Sequence, residues 1–419
     1  MSYLFTEPNA RIFYACQGVF IKERNTHDGD DAATDGTFLT GVQSLGVNGS
    51  FPSSSLMDVG RAQKQFHYYA PQEFEITIER MIDQDSDFFY HVDPSDYMAS
   101  AAGYKQSHIL YEDNIGMGGG DEAGTDQSLK NYDVTILYGS DAFDRLGSGI
   151  SGGGDGNKVF SVTYRNCLVT AISYTMGTDG PVTESITLAT RAATYNDSHQ
   201  TASAYTMPTA SAAQSGDTIK REDIDLLTDG SDDPEAEIKQ PLYSRLPPEI
   251  LDMFSVGDEE TDKLGGKFVL GITSITVDMA IEYSEVADIG RWRGSVDQGQ
   301  QNCWRNVSLP VQVTCSFTGV PRKPYVRDLP NTDTTFARNY DGADPRKTDK
   351  QIRIVAAKDS NFYVWDLGQS NYLTDFSYTG ADAAGGNLQL TVSYQNDTSD
   401  IVLVKDTSVR DLPKPTKPF

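Results

Sequence analysis

Residues 41–48 read GVQSLGVN, and residues 271–278 read GITSITVD. With the same offset and no gap, residues 58–61 read DVGR and residues 288–291 read DIGR. Between these segments the positions that alternate along the strand also overlay, Leu45, Val47, Gly49 and Phe51 on Ile275, Val277, Met279 and Ile281. One strand and the turn after it therefore occur twice in the chain, in the same arrangement.

A second block repeats later. Residues 166–175 read NCLVTAISYT, and residues 371–379 read NYLTDFSYT, one residue shorter; a Gly-containing turn and an alternating strand follow each. Two blocks repeated in the same order predict a tandem duplication. We expect a first domain over 1–195, an acidic polar linker over 196–240 and a second domain over 241–419, with Ser44 superposed on Ser274 and Gly60 on Gly290.

Strand patterns dominate the rest of the chain. Apolar and polar residues alternate over 74–79, 182–188, 309–317 and 388–394, and a longer strand pattern covers 160–174. Period-two alternation is typical of antiparallel sheets with one buried and one wet face. Helix signals are limited to 96–104 and 247–254, both short. The expected class is mainly β.

Composition narrows the function. The 419 residues carry a formal charge of −26, and 38% are hydrophobic, which is enough for real cores. A surface this acidic repels phosphates, which argues against a protein that binds nucleic acid. The charge is compatible with an acidic wall that faces DNA without binding it. The first ten residues lack a secretory signal pattern, and no stretch has the roughly 20 apolar residues of a membrane helix.

No pattern predicts a catalytic centre, a cofactor or a metal. The Gly-rich stretches 116–120 and 147–156 have no GK[ST] and no helical pattern behind them, so we interpret them as loops. The acidic clusters lack calcium-loop spacing, and the five histidines lack metal-ligand partners. The four cysteines have no CxxC spacing and are interpreted as buried hydrophobes or free thiols, with a Cys303–Cys315 bridge as the alternative.

The repeated Asp-x-Gly-Arg segments supply the candidate site residues, which are Asp58, Gly60, Arg61, Asp288, Gly290 and Arg291. In one interpretation each segment is a turn, in which Gly supplies a positive φ and Asp caps local N–H groups. In the other, each arginine reaches an acidic partner across a subunit interface, where guanidinium groups form bidentate pairs. Both can hold together.

These features resemble the major tail tube protein of long-tailed bacteriophages and related tailed viruses, in the variant with two fused tube domains. The resemblance covers roughly 11–195 and 265–396. Its cues are the strand block followed by Asp-[Ile/Val]-Gly-Arg, the strand that ends EFEITIER at 73–80, and the block 167–190 with its SYTMGTDG turn. The order of the blocks and the duplication carry the resemblance.

The resemblance implies two tandem β-sandwich or barrel domains, each with a short helix at its side. Six such domains would close a ring around a β-barrel channel, so three chains would suffice, and stacked rings would form a tube that conducts viral DNA without binding it specifically. The expected partners are further copies of the chain and tail proteins such as the tape measure, distal tail and terminator proteins. The expected location is the virion tail, after assembly in the host cytoplasm. Residues 83–126 have no clear counterpart in the second half and are expected to be an insertion.

Other functions fit the same sequence features. A baseplate, distal-tail or tail-terminator protein with this domain would form a single ring and not a tube. A carbohydrate-binding β-sandwich module belongs to another class. An enzyme is the least supported alternative.

The interface interpretation of the two arginines predicts a charge-reversal effect. If Arg61 or Arg291 lies at a contact between copies, replacing it with Glu leaves the partner carboxylate unpaired. We expect a loss of roughly 2–5 kcal/mol per buried pair in ring closure, and a smaller loss in the fold of the single chain. Electron microscopy of the Arg61→Glu protein measures the first effect and chemical unfolding the second. Normal assemblies formed by Arg61→Glu would remove this arginine from the interface.

Overall fold

The structure is a computed structural model of the chain. The described residues are 17–24, 37–56, 66–69, 72–82, 131–139, 159–196, 218–226, 244–254, 269, 271–287, 303–308, 311–321, 350–358, 361–368, 371–380, 387–396 and 402–406. Nearly all the regular structure within them is antiparallel β-strand, which confirms the predicted mainly β class.

The elements are numbered in chain order. The first half contains β1 (Gln17–Arg24), β2 (Thr37–Phe38), β3 (Val42–Ser50), β4 (Ser53–Leu56), β5 (Phe66–Tyr69), β6 (Glu73–Met81), β7 (Asn131–Gly139), β8 (Val159–Gly177), β9 (Thr183–Thr190) and β10 (Ala192–Asn196). The second contains β11 (Ile224–Asp225), α1 (Pro248–Phe254), β12 (Ile272–Ala280), β13 (Tyr283–Ala287), β14 (Cys303–Val307), β15 (Gln312–Gly319), β16 (Arg353–Lys358), β17 (Asn361–Asp366), β18 (Asn371–Thr379), β19 (Gln389–Asn396) and β20 (Val402–Asp406).

The predicted alternating strands are confirmed as β6, β9, β15 and β19. In each of them every second side chain is buried and the side chains between are partly or fully exposed. The helix predicted over 247–254 is confirmed as α1, whereas the helix predicted over 96–104 lies outside the described residues. The expected insertion 83–126 also lies outside them.

The long strand β8 joins two layers of the fold. Its first half pairs with β7 on one side and β10 on the other. Its second half pairs instead with β9 and β12. The 19 residues of β8 thus pass from one sheet layer into the other without a break in the strand.

One of these layers is a continuous path of eight strands, in the order β3-β6-β9-β8-β12-β15-β19-β18. Its first four strands come from the first half of the chain, and its last four from the second half. We call this layer the eight-stranded path. The strand pair in its middle, β8 with β12, is called the internal junction.

A second layer packs against the eight-stranded path. In the first half it has the order β10-β8-β7-β1, and in the second half the order β20-β17-β16-β11. The rings of Phe74 in β6 and Tyr164 in β8 meet at 5.5 Å between centroids, so the two layers share a core. The buried apolar side chains of both halves belong to one cluster.

Helix α1 is anchored to the second half by apolar and ionic contacts. Ile250 and Phe254 are fully buried. The carboxylate of Glu249 accepts a hydrogen bond from the buried ammonium group of Lys350. A seven-residue helix has little stability of its own, so these tertiary contacts hold it.

The two halves of the eight-stranded path also match in register. Leu45 lies opposite Ile78, and Ile275 lies opposite Phe317. A register shift follows the first residue of both β3 and β12, between Val42 and Ser44 and between Ile272 and Ser274. Residues at the same strand and register position in the two halves are called counterparts below.

The same match is found in β8 and β18. Each is interrupted by a register shift at a threonine, Thr170 in β8 and Thr374 in β18. Each threonine hydroxyl donates a hydrogen bond to a backbone carbonyl of the next strand, that of Thr187 or Ser393. Tyr174 and Tyr378 are therefore counterparts.

The segment predicted as a polar linker, 196–240, contains ordered structure in its described part. Ile219 is fully buried, and its N–H donates to the carbonyl of Ile82. Ile224 belongs to β11, which pairs with β16. A few apolar residues are enough to form these contacts. The acidic, polar composition of the stretch predicted a linker and gave no signal for them.

Two glycines begin the matched strands β3 and β12 with a positive φ. Gly41 has φ +73° and Gly271 has φ +98°. A Cβ on Gly41 would lie 2.5 Å from the carbonyl oxygen of Met81, and one on Gly271 would lie 2.7 Å from that of Val320. Only glycine fits such a position without strain.

We expect Gly41→Ala and Gly271→Ala each to lower the free energy of unfolding by about 1–3 kcal/mol or more, because the backbone strain adds to the close contact. Gly180→Ala is the matched control, since no heavy atom lies within 4 Å of its added Cβ. Chemical denaturation measures the difference. Equal unfolding curves for Gly41→Ala and the control would show that the turn tolerates a side chain.

Candidate assembly interface

The internal junction is a regular antiparallel strand pair. Val277 in β12 lies opposite Tyr174 in β8, and Asp278 lies opposite Ser173. The Val277 and Tyr174 side chains are each only 1% exposed. The two halves of the chain are thus joined by a fully sealed sheet contact.

The apolar side of the internal junction is closed by Tyr174. Its ring packs edge-to-face on Trp365 of β17, with 6.1 Å between centroids. Its hydroxyl donates a 2.6 Å hydrogen bond to the carboxylate of Glu184, which also accepts from the guanidinium group of Arg80. Arg80 and Glu184 are both buried, so this charge pair is compensated inside the core.

The other side and the end of the internal junction carry polar contacts. The hydroxyl of Ser173 donates to the carboxylate of Asp278. Just beyond β12, the N–H of Ile281 donates to the carbonyl of Thr170 at 2.8 Å. The hydroxyl of Tyr283 in β13 donates to the carbonyl of Val169 at 2.7 Å. The second half therefore docks on β8 over residues 274–280 of β12 and, through Ile281 and Tyr283, up to three residues further.

Strands β3 and β18 end the eight-stranded path, and each is paired on one side only within the described part of the chain. Most of their side chains are exposed, in contrast to the alternating burial of β12. An unpaired edge presents free backbone N–H and C=O groups to another strand. We call β3 and β18 the open edges.

Exposed apolar side chains gather at the open edges. Val47, Phe51, Tyr378 and Leu388 are 40%, 64%, 38% and 40% exposed. Their counterparts at the internal junction and beside it are Val277, Ile281, Tyr174 and Val182, none of which is more than 4% exposed. The open edges therefore have the apolar composition of a contact that is already closed elsewhere in the same chain.

The face of the eight-stranded path that points away from the core is polar. None of the described positions assigned to this face is a lysine or an arginine. The positions are Ser44, Gly46, Asn48, Ser50, Glu73, Glu75, Thr77, Glu79, Ala171, Ser173, Thr175, Thr183, Ser185, Thr187, Ala189, Ser274, Thr276, Asp278, Ala280, Gln312, Thr314, Ser316, Thr318, Asp375, Ser377, Thr379, Gln389, Thr391, Ser393 and Gln395. Their only charged groups are carboxylates. We call this surface the polar face.

All six predicted site residues lie outside the described residues. Asp58, Gly60 and Arg61 fall in the chain between the paired strands β4 and β5. Asp288, Gly290 and Arg291 fall between the paired strands β13 and β14. The structure thus gives both segments the same place in the topology, while their role as a turn or as an interface stays a prediction.

Sequence reasoning did not identify the open edges. The sequence signal was present, since β3 matches β12 in the first repeated block and β18 matches β8 in the second. The sequence does not specify which strands lie next to each other in space. Those neighbours determine that β12 is an interior strand and that β3 is an edge strand. Alternation is equally clear in both positions.

Buried thiols and phenols in the described residues are poorly suited to nucleophilic chemistry. Burial raises the pKa of the Cys167 and Cys315 thiols well above the ordinary value, and the nearby carboxylates Asp133 and Asp278 raise it further. Both thiols are free, so Cys315 does not bridge to Cys303. Burial raises the pKa of Tyr164 to about 12, with contributions from its neighbours, first among them Tyr138. All three groups are therefore neutral near pH 7.

Other chemical features also fail to form a site within the described part of the chain. No group of three or more His, Cys, Asp or Glu side chains there could hold a metal ion. No helix there is long and apolar enough to span a membrane. Residues 149–153 read GISGG, which matches a serine-nucleophile spacing, but they lie in the predicted Gly-rich loop outside the described residues.

An open cleft of about 370 Å³ lies beside the open edge β3, and Asn48, Phe74, Arg191 and Tyr283 help to line it. The guanidinium group of Arg191 donates to the carboxylate of Glu73 at 2.9 Å across this cleft. Residues of β3, β6 and β9 line one part of the cleft, and Thr170 of β8, Ile281 and Tyr283 line another part.

The buried pair behind the internal junction predicts a large mutational effect. Glu184→Ala leaves Arg80 buried without its carboxylate, so we expect a loss of about 3–5 kcal/mol in the free energy of unfolding. Glu79→Ala is the control, because Glu79 is an exposed glutamate in β6 next to Arg80, and its expected change is within about 0.5 kcal/mol. Denaturant titration of both variants measures the difference. Similar midpoints would mean that water reaches Arg80.

Comparisons with known proteins give partial matches only. No family model matches the chain, and no curated protein matches it. Among solved structures, a chain from the virion of a native gene transfer agent particle is 12% identical, with 36% of this chain and 95% of that chain covered and a TM-score of 0.20. The tube-terminating cap of the anti-feeding prophage is 12% identical, with 39% and 91% covered and a TM-score of 0.22. The tail of an empty gene transfer agent particle is 13% identical, with 35% and 90% covered and a TM-score of 0.19.

Proposed function

We propose that this chain is a structural protein of a viral tail, which assembles head to tail into closed rings that stack into a hollow tube for DNA. The observation that carries the proposal is the relation between the internal junction and the open edges. The chain already contains one β8–β12 contact, and β18 and β3 are the counterparts of those two strands. Pairing between copies would repeat the contact and leave neither end of the eight-stranded path exposed.

The proposal includes two copies of one domain in each chain. Its support is the same strand order in both halves of the eight-stranded path and of the second layer. The matched register shifts and the matched glycines at 41 and 271 support it too. The first domain corresponds to 1–195 and the second to 241–419, together with β11 and the turn before it from the segment 196–240.

Three chains would supply six equivalent domains, the number that the resemblance to tail tube proteins implies. Each chain contributes eight strands to the path, so three chains give 24 strands (3 × 8), more than the roughly 16–18 at which barrels enclose an aqueous channel. The second layer covers the apolar face of the path and adds about 10 Å of thickness on that side. Ring closure is therefore less crowded with this layer outside and the polar face inside.

A channel lined by the polar face would suit the passage of DNA. Its charged groups are the carboxylates Glu73, Glu75, Glu79, Asp278 and Asp375, which repel phosphates. The positions of the polar face carry no lysine or arginine, and Arg191, which follows β9 and lies beside this face, is already paired with Glu73, so little positive charge is available to bind the backbone and slow its movement. This agrees with the expectation that viral DNA passes through without specific binding.

The remaining elements of the proposal follow the resemblance. Stacking of rings and contacts with the tape measure, distal tail and terminator proteins would use surfaces outside the open edges. The segments that contain Arg61 and Arg291 are candidates, because each lies between two paired strands that leave the eight-stranded path. Assembly would take place in the host cytoplasm, and the product would belong to the virion tail.

Electron microscopy of the purified chain, together with native mass spectrometry, tests the proposal. We expect rings of three chains with pseudo-sixfold symmetry, stacked into tubes. Single rings that do not stack would favour the alternative of a distal-tail, baseplate or terminator protein. A ring of six complete chains would contradict the trimer, and a protein that stays monomeric at high concentration would contradict self-assembly altogether.

A further inference from the structure

We infer that the contact between copies reproduces the internal junction residue for residue, with β3 of one copy antiparallel to β18 of the next and Val47 opposite Tyr378. The inference rests on the proposed self-assembly and adds the partner strand, its direction and its register. Among the described strands, β3 and β18 are the counterparts of the two strands that meet in the internal junction.

The register follows from the observed strand pairs. Val277 lies opposite Tyr174 across the internal junction. Val47 is the counterpart of Val277, because each lies two residues after the matched positions Leu45 and Ile275. Val47 lies opposite Ile76, and Val277 lies opposite Cys315. Tyr378 is the counterpart of Tyr174, because each follows its threonine register shift by four residues. Transferring the pair gives Val47 opposite Tyr378, and so Asn48 opposite Ser377 and Gly49 opposite Phe376.

The apolar side chains fit this register. Val47 and Tyr378, each well exposed in the single chain, would cover one another as Val277 and Tyr174 do. Gly49 leaves room beside the half-buried ring of Phe376. Phe51 is the counterpart of Ile281, whose N–H bonds to Thr170, so its own N–H would reach the carbonyl of Thr374. Val47 and Tyr378 would thus each lose solvent exposure on assembly.

The polar side chains fit as well. At the internal junction the hydroxyl of Ser173 donates to the carboxylate of Asp278. In the contact between copies the matching pair is Ser377 and Asn48, both exposed in the single chain. The amide oxygen of Asn48 can accept the same hydrogen bond without bringing another negative charge to the polar face.

Other registers lose these contacts. A shift by one residue would turn the apolar residues of one strand toward the polar face. A shift by two residues keeps the faces but moves Tyr378 away from Val47, to lie opposite Leu45 or Gly49. The pairing of an exposed Val with an exposed Tyr therefore selects one register.

Cysteine cross-linking tests the register. At the internal junction Ile281 and Thr170 form a hydrogen-bonded pair, so Asp278 and Ser173 alternate into a non-hydrogen-bonded pair, where side chains approach most closely. Asn48 and Ser377 are expected to have that same close geometry, which suits a disulfide. The probe is an equimolar mixture of an Asn48→Cys chain and a Ser377→Cys chain, oxidised mildly after assembly.

We expect a covalent dimer of the two chains on a non-reducing gel. Mixing the two single variants makes any such bond intermolecular. The matched control mixes Asn48→Cys with Asp375→Cys, which tests the register shifted by two and should give at least about tenfold less dimer, because diagonal Cβ atoms are roughly 7–8 Å apart. Wild-type chain gives the background from the four native cysteines.

Val47→Lys supplies a second measurement that does not need cysteines. Because Val47 is exposed in the single chain, the free energy of unfolding of the Val47→Lys protein should be unchanged. A lysine facing Tyr378 should raise the protein concentration needed for assembly by at least about tenfold. Val47→Thr, of similar shape, is the milder control. Normal assembly by Val47→Lys would overturn the register.

The failure of the inference and the failure of the proposed function give different results. Assemblies that form by microscopy, but cross-link through Asp375→Cys in place of Ser377→Cys or through neither, would overturn the register and leave self-assembly standing. A wild-type chain that forms no assemblies would overturn the proposed function, and with it the inference. Assembly together with the Asn48–Ser377 dimer supports both.

Discussion

The need to pair the edges of a β-sheet governs this molecule. The backbone groups of a strand must be paired wherever water is excluded, and an exposed strand edge attracts another strand. Within the chain the internal junction meets this need by joining β8 to β12, with Tyr174 and Val277 sealed between the halves. The same construction leaves β3 and β18 at the two ends of the path. Each of them is paired on one side only among the described strands, so the need for a partner strand recurs at both ends.

The buried charges are arranged around that constraint. Arg80 and Glu184 lie behind the internal junction and fix Tyr174, whose ring meets Trp365 of the other half. The counterpart of Glu184 in β19 is Leu390, so the other half has no matching carboxylate below Tyr378. A buried ion pair in the first half thus supports Tyr174 at the internal junction, whereas the position below Tyr378 at the open edge β18 is apolar.

Much of the fold could be predicted from the sequence, because one-face burial leaves a period-two pattern. This pattern predicts the strands β6, β9, β15 and β19, and separate helix signals predict α1. The pattern could not predict that β8 passes between two layers, since both faces of its first half are buried and alternation is lost there. Nor could composition predict β11, where Ile224 lies among acidic residues. The candidate site was the least predictable, because an edge is defined by its neighbours in space.

The internal junction also has a kinetic consequence. In the proposed two-domain chain the halves would meet at an effective concentration set by the length and stiffness of the connecting segment. Half of the domain-to-domain contacts of the proposed ring would then be made during the folding of each chain, before any encounter between chains. Assembly would depend on the third power of subunit concentration where separate domains would need the sixth. A fused chain can thus begin rings at far lower expression levels, and it fixes an even number of domains in every ring that closes.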